Sequence, residues 1–155
     1  MKKLFCILVT FLSISVLGKE KLSLEAKNLM LKVLEKNESL HHSFFSYNAK
    51  AVEDATKELL KFSITNKEKA LDSDLLKVRE SLEKISAKQT QEENKKQYGL
   101  ANIYFVKIIN KYDLGEKYQA YYCPMVRKKW VQNTQKGVDV QNPYDASMPD
   151  CGGRL

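Results

Sequence analysis

Two cysteines and two methionines near the end of the chain are the residues whose types and spacing could do chemistry. Tyr122-Cys123-Pro124-Met125 opens a short segment and Met148-Pro149-Asp150-Cys151-Gly152 closes it, so each cysteine has a methionine two or three positions away. Thiolate and thioether are soft donors suited to Cu(I) and similar ions. Two cysteines in an oxidising compartment can instead form a disulfide, closing a loop of about 29 residues and stabilising the fold by roughly 3–4 kcal/mol on the chain-entropy argument. The methionines favour the metal, since a structural disulfide needs no thioether, but methionine also fills gaps in ordinary cores. Both readings stay open: a metal set of Cys123, Met125, Met148 and Cys151, or a disulfide between Cys123 and Cys151.

His41 and His42 are the only histidines. Position 41 falls in line with Leu34 and Phe45 at the edge of an apolar stripe, which reads first as a partly buried imidazole and only secondarily as a further metal ligand reaching the cysteines. Position 42 follows Glu38 by one helical turn and reads as solvent-facing. No nucleophile motif surrounds any Ser, His or Asp, and no carboxylate pair sits alone in an apolar setting. The cysteines are too far apart in sequence for a Cys-x-x-Cys redox site. The expectation is therefore a protein that is not an enzyme and has no catalytic or organic cofactor-binding residues.

What must position these side chains begins after a leader. Lys2 and Lys3, an apolar run from Leu4 to Leu17 and the small-residue exit at Gly18 read as a secretory signal peptide over residues 1–18. The run is short for a bilayer span and ends in Lys19-Glu20-Lys21. The processed chain is expected to be periplasmic, without stable membrane insertion. Two lysines and no acid leave with the leader, so the net charge falls from +7 to +5. Lysines and glutamates interleave along the chain, and no arginine-rich, aromatic-studded face argues for nucleic acid.

Residues 19–155 are about one domain in size. Met30, Val33, Leu40 and Phe44 make a helical stripe interrupted at Asn37, predicting a first helix over 24–46 capped by Ser23. Asn48 caps a second helix, with Tyr47 and Val52 in staple positions, and that helix ends near Ser63. Ser73 is expected to cap a third helix carrying Leu75, Val78, Leu82 and Ile85. Thr90 and Glu93 form a capping box for a fourth, with Tyr98, Ala101, Phe105, Ile108 and Tyr112 on one face and Gly115 at its end. The fold class is mainly α, an up-and-down four-helix bundle over about 22–115. A small, turn-rich, partly β cap follows over about 116–153, with strand-like pieces near Tyr118–Tyr122, Lys129–Val131 and Val138–Val140 and corners at Gly137, Pro143 and Gly152.

The order Tyr122-Cys123-Pro124-Met125, Trp130, Asn142-Pro143-Tyr144 and Met148 through Gly152 resembles a bacterial domain of unknown function, number 3347 in its series. That domain is found alone or fused to periplasmic adaptors of heavy-metal efflux pumps. Two features differ here: Asp145-Ala146 follows the Asn-Pro-Tyr where the family has Phe-Gly, and Val126-Arg127-Lys128-Lys129 replaces a Gly-rich segment. The resemblance implies a helical bundle ahead of the cap and a partner among efflux adaptors or other envelope proteins. Two functional expectations follow. One is an exported soft-metal-binding protein, for Cu(I) or a related ion, accessory to heavy-metal efflux or homeostasis; the other is a disulfide-stapled helical interaction module of the envelope that binds no metal.

Overall fold

Short polar side chains at the helix starts set the first level of structure. The computed structural model describes residues 18–62, 69–137 and 140–155. The signal-peptide reading of residues 1–17, the end of the second helix near Ser63 and the strand-like character of Val138-Asp139 lie outside the described residues. Helix α1 spans Leu24–Ser43, and the Ser23 hydroxyl accepts the Ala26 amide at 3.2 Å. Helix α2 spans Ala49–Phe62, with the Asn48 side chain accepting the Ala51 amide at 3.0 Å. Helix α4 spans Gln91–Lys111 and opens on the reciprocal capping box of Thr90 and Glu93. Each cap satisfies an amide that the first turn of a helix leaves without a partner.

Three boundaries differ from the sequence reading. Helix α1 ends three residues early, because Phe44 turns into the core and the amides of Phe44 and Phe45 close back on the carbonyls of His41 and His42. Helix α3 spans Lys69–Leu82, so Ser73 lies inside it instead of capping it. Leu71 is fully buried and extends the Leu75, Val78, Leu82 stripe by one turn, which carries the helix back past the serine. Gly115 adopts a left-handed φ of 80°, but it shapes the approach to the first strand and does not end α4. The end of α4 is tied instead by the leading segment: Glu20 donates its amide to the Lys111 carbonyl at 2.8 Å and accepts the Asp113 amide at 2.8 Å.

The helices form a bundle in which α1 packs on α2 and α3 on α4. The start of α1 lies beside the end of α4, while Phe44, just past α1, stacks on Tyr98 of α4 at 4.9 Å, so these two helices run antiparallel. Met30, Val33, Leu40, Leu59, Leu75 and Phe105 are among the fully or nearly fully buried core residues. After α4 the chain makes a three-stranded antiparallel sheet in the order β2-β1-β3, from Tyr118–Cys123 (β1), Lys128–Asn133 (β2) and Gly153–Arg154 (β3). The chain is thus mainly α with a small, partly β cap. That cap lies against α4, chiefly through β2.

Candidate functional site: the cysteine-bridged cap

Register brings the cap's chemistry together. Strands β1 and β2 pair with Tyr121 opposite Trp130 and Cys123 opposite Lys128. Strand alternation therefore places Tyr121, Cys123 and Trp130 on one face. Trp130 is fully buried, stacks on Tyr121 at 5.8 Å and meets Tyr144 edge-on at 6.3 Å. Its indole N–H donates to the Gln132 side-chain oxygen at 3.1 Å, and that same oxygen accepts the Gln141 amide at 2.9 Å. The indole is thereby satisfied, and the chain leading into Asn142 is fastened to β2.

Asn142-Pro143-Tyr144 acts as a clasp. The Asn142 side chain accepts the Tyr144 amide at 3.0 Å and donates to the Met148 carbonyl at 3.0 Å, while its backbone amide donates to the Pro149 carbonyl at 2.8 Å. One buried asparagine thus closes the loop that delivers Cys151. Tyr144 carries the clasp to the bundle, its ring against Tyr98 at 5.9 Å and its hydroxyl donating to the Lys129 carbonyl at 2.9 Å. Burial pushes the phenol pKa well up, Tyr98 adding to the shift and the Asn102 contact opposing it, so the group is a neutral donor.

Asn102 is the connector that the sequence reading did not pick out. It is fully buried on α4, accepts the Val131 amide at 3.1 Å and donates to the Tyr144 hydroxyl at 3.2 Å and the Tyr98 carbonyl at 3.1 Å. The outward groups of edge strand β2 at Lys129 and Val131 are therefore taken by side chains in place of a neighbouring strand. An asparagine on the apolar face of a helix, one position past Ala101, was the available signal. A second tie runs from α1, where Glu38 accepts the Asn133 side chain at 3.1 Å and pairs with Lys136.

The closed loop brings Cys151 to Cys123, and the two form a disulfide with α-carbons 5.4 Å apart. Of the two sequence readings for these residues, the disulfide is the one present. Gly152 follows with φ 151°, and a β-carbon there would lie 2.6 Å from Trp130 Cη2. The glycine is required both by its backbone conformation and by the indole against which the bridge is laid.

The other candidates are dispersed. Met125 lies in the β1–β2 turn with 71% of its surface exposed, and Met148 is half-buried, its carbonyl accepting the Cys151 amide at 3.2 Å. His41 is buried on α1, its ring 5.2 Å from Phe45, and the polar group acting on its ring is the Gln141 backbone. Burial first, then neighbouring His42, lowers its pKa to about 3, with the Gln141 backbone pulling the other way. Among the described residues no three His, Cys, Asp or Glu side chains converge as a metal-holding group, so His41 is not gathered with the cysteines into one. His42 is exposed and 3.9 Å from Glu38, as its position one turn on implies.

Among the described residues no helix is long and apolar enough to cross a membrane. No family model, curated protein or solved structure matches the chain.

Proposed function

We propose that the protein is an exported, disulfide-stapled helical interaction module of the cell envelope. The observation that carries this reading is the Cys123–Cys151 bridge, built into a cap whose buried aromatic and amide contacts all serve to hold that loop in one shape. A bridge of this kind persists in an oxidising compartment, which supports export and a periplasmic location together with the leader-like start of the chain. The helices are taken as an up-and-down bundle, a topology supported by the packing of sequence neighbours α1 with α2 and α3 with α4. The bundle is then a rigid support for the stapled cap, and no catalytic step is assigned to either part. Titrating thiols in the exported, unreduced protein tests the reading: about zero free thiols in the processed chain are expected, and two would overturn it.

A second reading keeps the soft-metal proposal for the reduced protein. It is favoured by the closeness of the two cysteines, with Met148 half-buried three residues before Cys151, and by the likeness of the cap's motifs to a domain associated with heavy-metal efflux. Reduction would free two thiolates able to take Cu(I), with Met148 and the exposed Met125 as neutral donors and His41 as an outer candidate. Its partner would be an efflux adaptor. Competition for Cu(I) against a chelator, comparing the reduced protein with Cys123→Ser/Cys151→Ser, decides it: equal binding by the two removes the metal reading.

A further inference from the structure

Charge and apolar surface coincide along one side of the cap. A groove of about 620 Å³ runs between α4 and the β1–β2 hairpin. Its floor is Leu100, Ile103, Val106 and Tyr122, and its rim carries Lys96, Lys107, Arg127, Lys128 and Lys129. Among the described residues no carboxylate lines it. Lys107 is held by Asp74 at 2.7 Å, but Lys96, Arg127, Lys128 and Lys129 make no direct ion pair among the described residues. Leu100 and Ile103 are 39% and 52% exposed, although they sit in the middle of α4. Lys96 has Glu93 near it on the same helix, but Arg127, Lys128 and Lys129 leave an excess of positive charge beside an uncovered apolar strip.

Two local choices keep the groove in that state. Arg127 is the one described non-glycine residue at positive φ, 53°, a conformation that costs an L-residue roughly 1–2 kcal/mol. The turn therefore keeps a guanidinium on the rim where glycine would relax the backbone. Gly99 is the only glycine in α4, where it costs about 1 kcal/mol relative to alanine, yet a β-carbon there would meet nothing closer than 3.6 Å. Packing does not demand this glycine. Lys128 lies beside it at the groove's edge, its side chain 3.6 Å from where that β-carbon would be.

We infer that this groove binds an anionic amphiphile, a single acyl or similar apolar chain ending in a phosphate or carboxylate. The apolar floor would cover the chain and the rim cations would hold the head group, with apolar burial worth about 25 cal/mol per Å². The volume falls in the range of small-molecule sites, about 300–1,000 Å³. An added peptide strand is disfavoured because the β2 edge at Lys129 and Val131 is already occupied by Tyr144 and Asn102. The inference goes beyond the stapled-module reading and stands apart from the state of the cysteines.

The test is calorimetric titration of the purified protein with dodecyl phosphate below its micelle concentration, beside uncharged dodecyl maltoside and inorganic phosphate. One saturable site is expected for dodecyl phosphate, at least tenfold tighter than for either control. Lys128→Glu with Lys129→Glu should weaken it at least tenfold, and Ile103→Asp should do the same from the apolar side, both with unchanged helical circular dichroism. Equal binding of the maltoside, or wild-type binding by both variants, overturns the site. Binding to phosphatidylglycerol vesicles with none to the monomeric amphiphile also overturns it, assigning the cations to a bilayer surface. Lys128 stands opposite Cys123 across the hairpin, so the thiol titration is repeated on both variants, and with the bridge intact in each, failure here is read separately from the stapled-module reading.

Discussion

In the helical region the inward side chains, from Met30 and Val33 through Leu59 and Leu75 to Phe105, are held by contacts that have no required direction. In the cap, Trp130, Asn142, Tyr144 and Asn102 each hold a neighbour through a hydrogen bond at a defined atom, and one covalent bridge closes the set. The first arrangement spreads stability over many interchangeable methyl and ring contacts, so that a volume-conserving exchange is tolerated. The second concentrates it, because a buried polar group that loses its partner costs about 1–3 kcal/mol. The difference explains why the short cap can hold one shape without a large core of its own. It also says where the protein is vulnerable.

The sharpest way to break the comparison is Trp130→Ala. This substitution should lower stability by about 3–5 kcal/mol in urea unfolding, and amide exchange should rise in β1, β2 and the 140–155 segment before it rises in α1 and α3. Simultaneous loss of protection in both regions would mean that cap and bundle open as one unit. Next, Cys123→Ser with Cys151→Ser should cost roughly 3–4 kcal/mol while leaving helical circular dichroism intact, since the bridge constrains only the cap. A collapse of the helical signal would contradict that division.

His41 joins the two regions through a titration. Its folded pKa, about 3, lies below the ordinary value of 6.5. Above pH 6.5 the imidazole is neutral in both states and its full contribution is present. As pH falls from 6.5 toward 3, the unfolded chain takes up a proton that the buried ring refuses, so stability drops by about 1.4 kcal/mol per pH unit from this group. In His41→Gln the melting temperature should fall less steeply over that window than in the wild type; identical slopes would mean that the ring is hydrated or paired. The smallest effect belongs to the bundle: Thr90→Ala should cost about 1 kcal/mol by removing one side of the capping box, with cap exchange rates unchanged.

Much of the bundle could be read directly, because its signals are local. Ser23, Asn48 and the Thr90–Glu93 box lie within three residues of the amides they serve, and the stripe through Tyr98, Phe105 and Ile108 needs only helical periodicity. Where that reading slipped, a longer-range contact had overridden a local one: buried Leu71 carried α3 past Ser73, and the Glu20 segment, not Gly115, tied down the end of α4. The cap was legible as a set of residues but not as a set of roles. Asn142, Trp130 and Gly152 stood out, while Asn102, which holds Val131 and Tyr144 to α4, was not picked out.

By itself, then, the sequence determined the existence of the four helices, the caps of α1, α2 and α4, the buried stripes and the residues on which the cap turns, since each of these depends on neighbours a few positions away. Only the tertiary structure shows Cys123 and Cys151 joined as a bridge, because their meeting rests on how a loop of 28 residues' separation is closed. Asn142 closes it, Gly152 lets the chain pass Trp130, and the β1–β2 register places Cys123 to receive its partner. The basic groove is decided at the same level. Lys96 on α4 and Arg127 to Lys129 on the hairpin are ordinary surface residues in sequence, and they become one rim only because Asn102 and Tyr144 bind β2 edge-on to the helix.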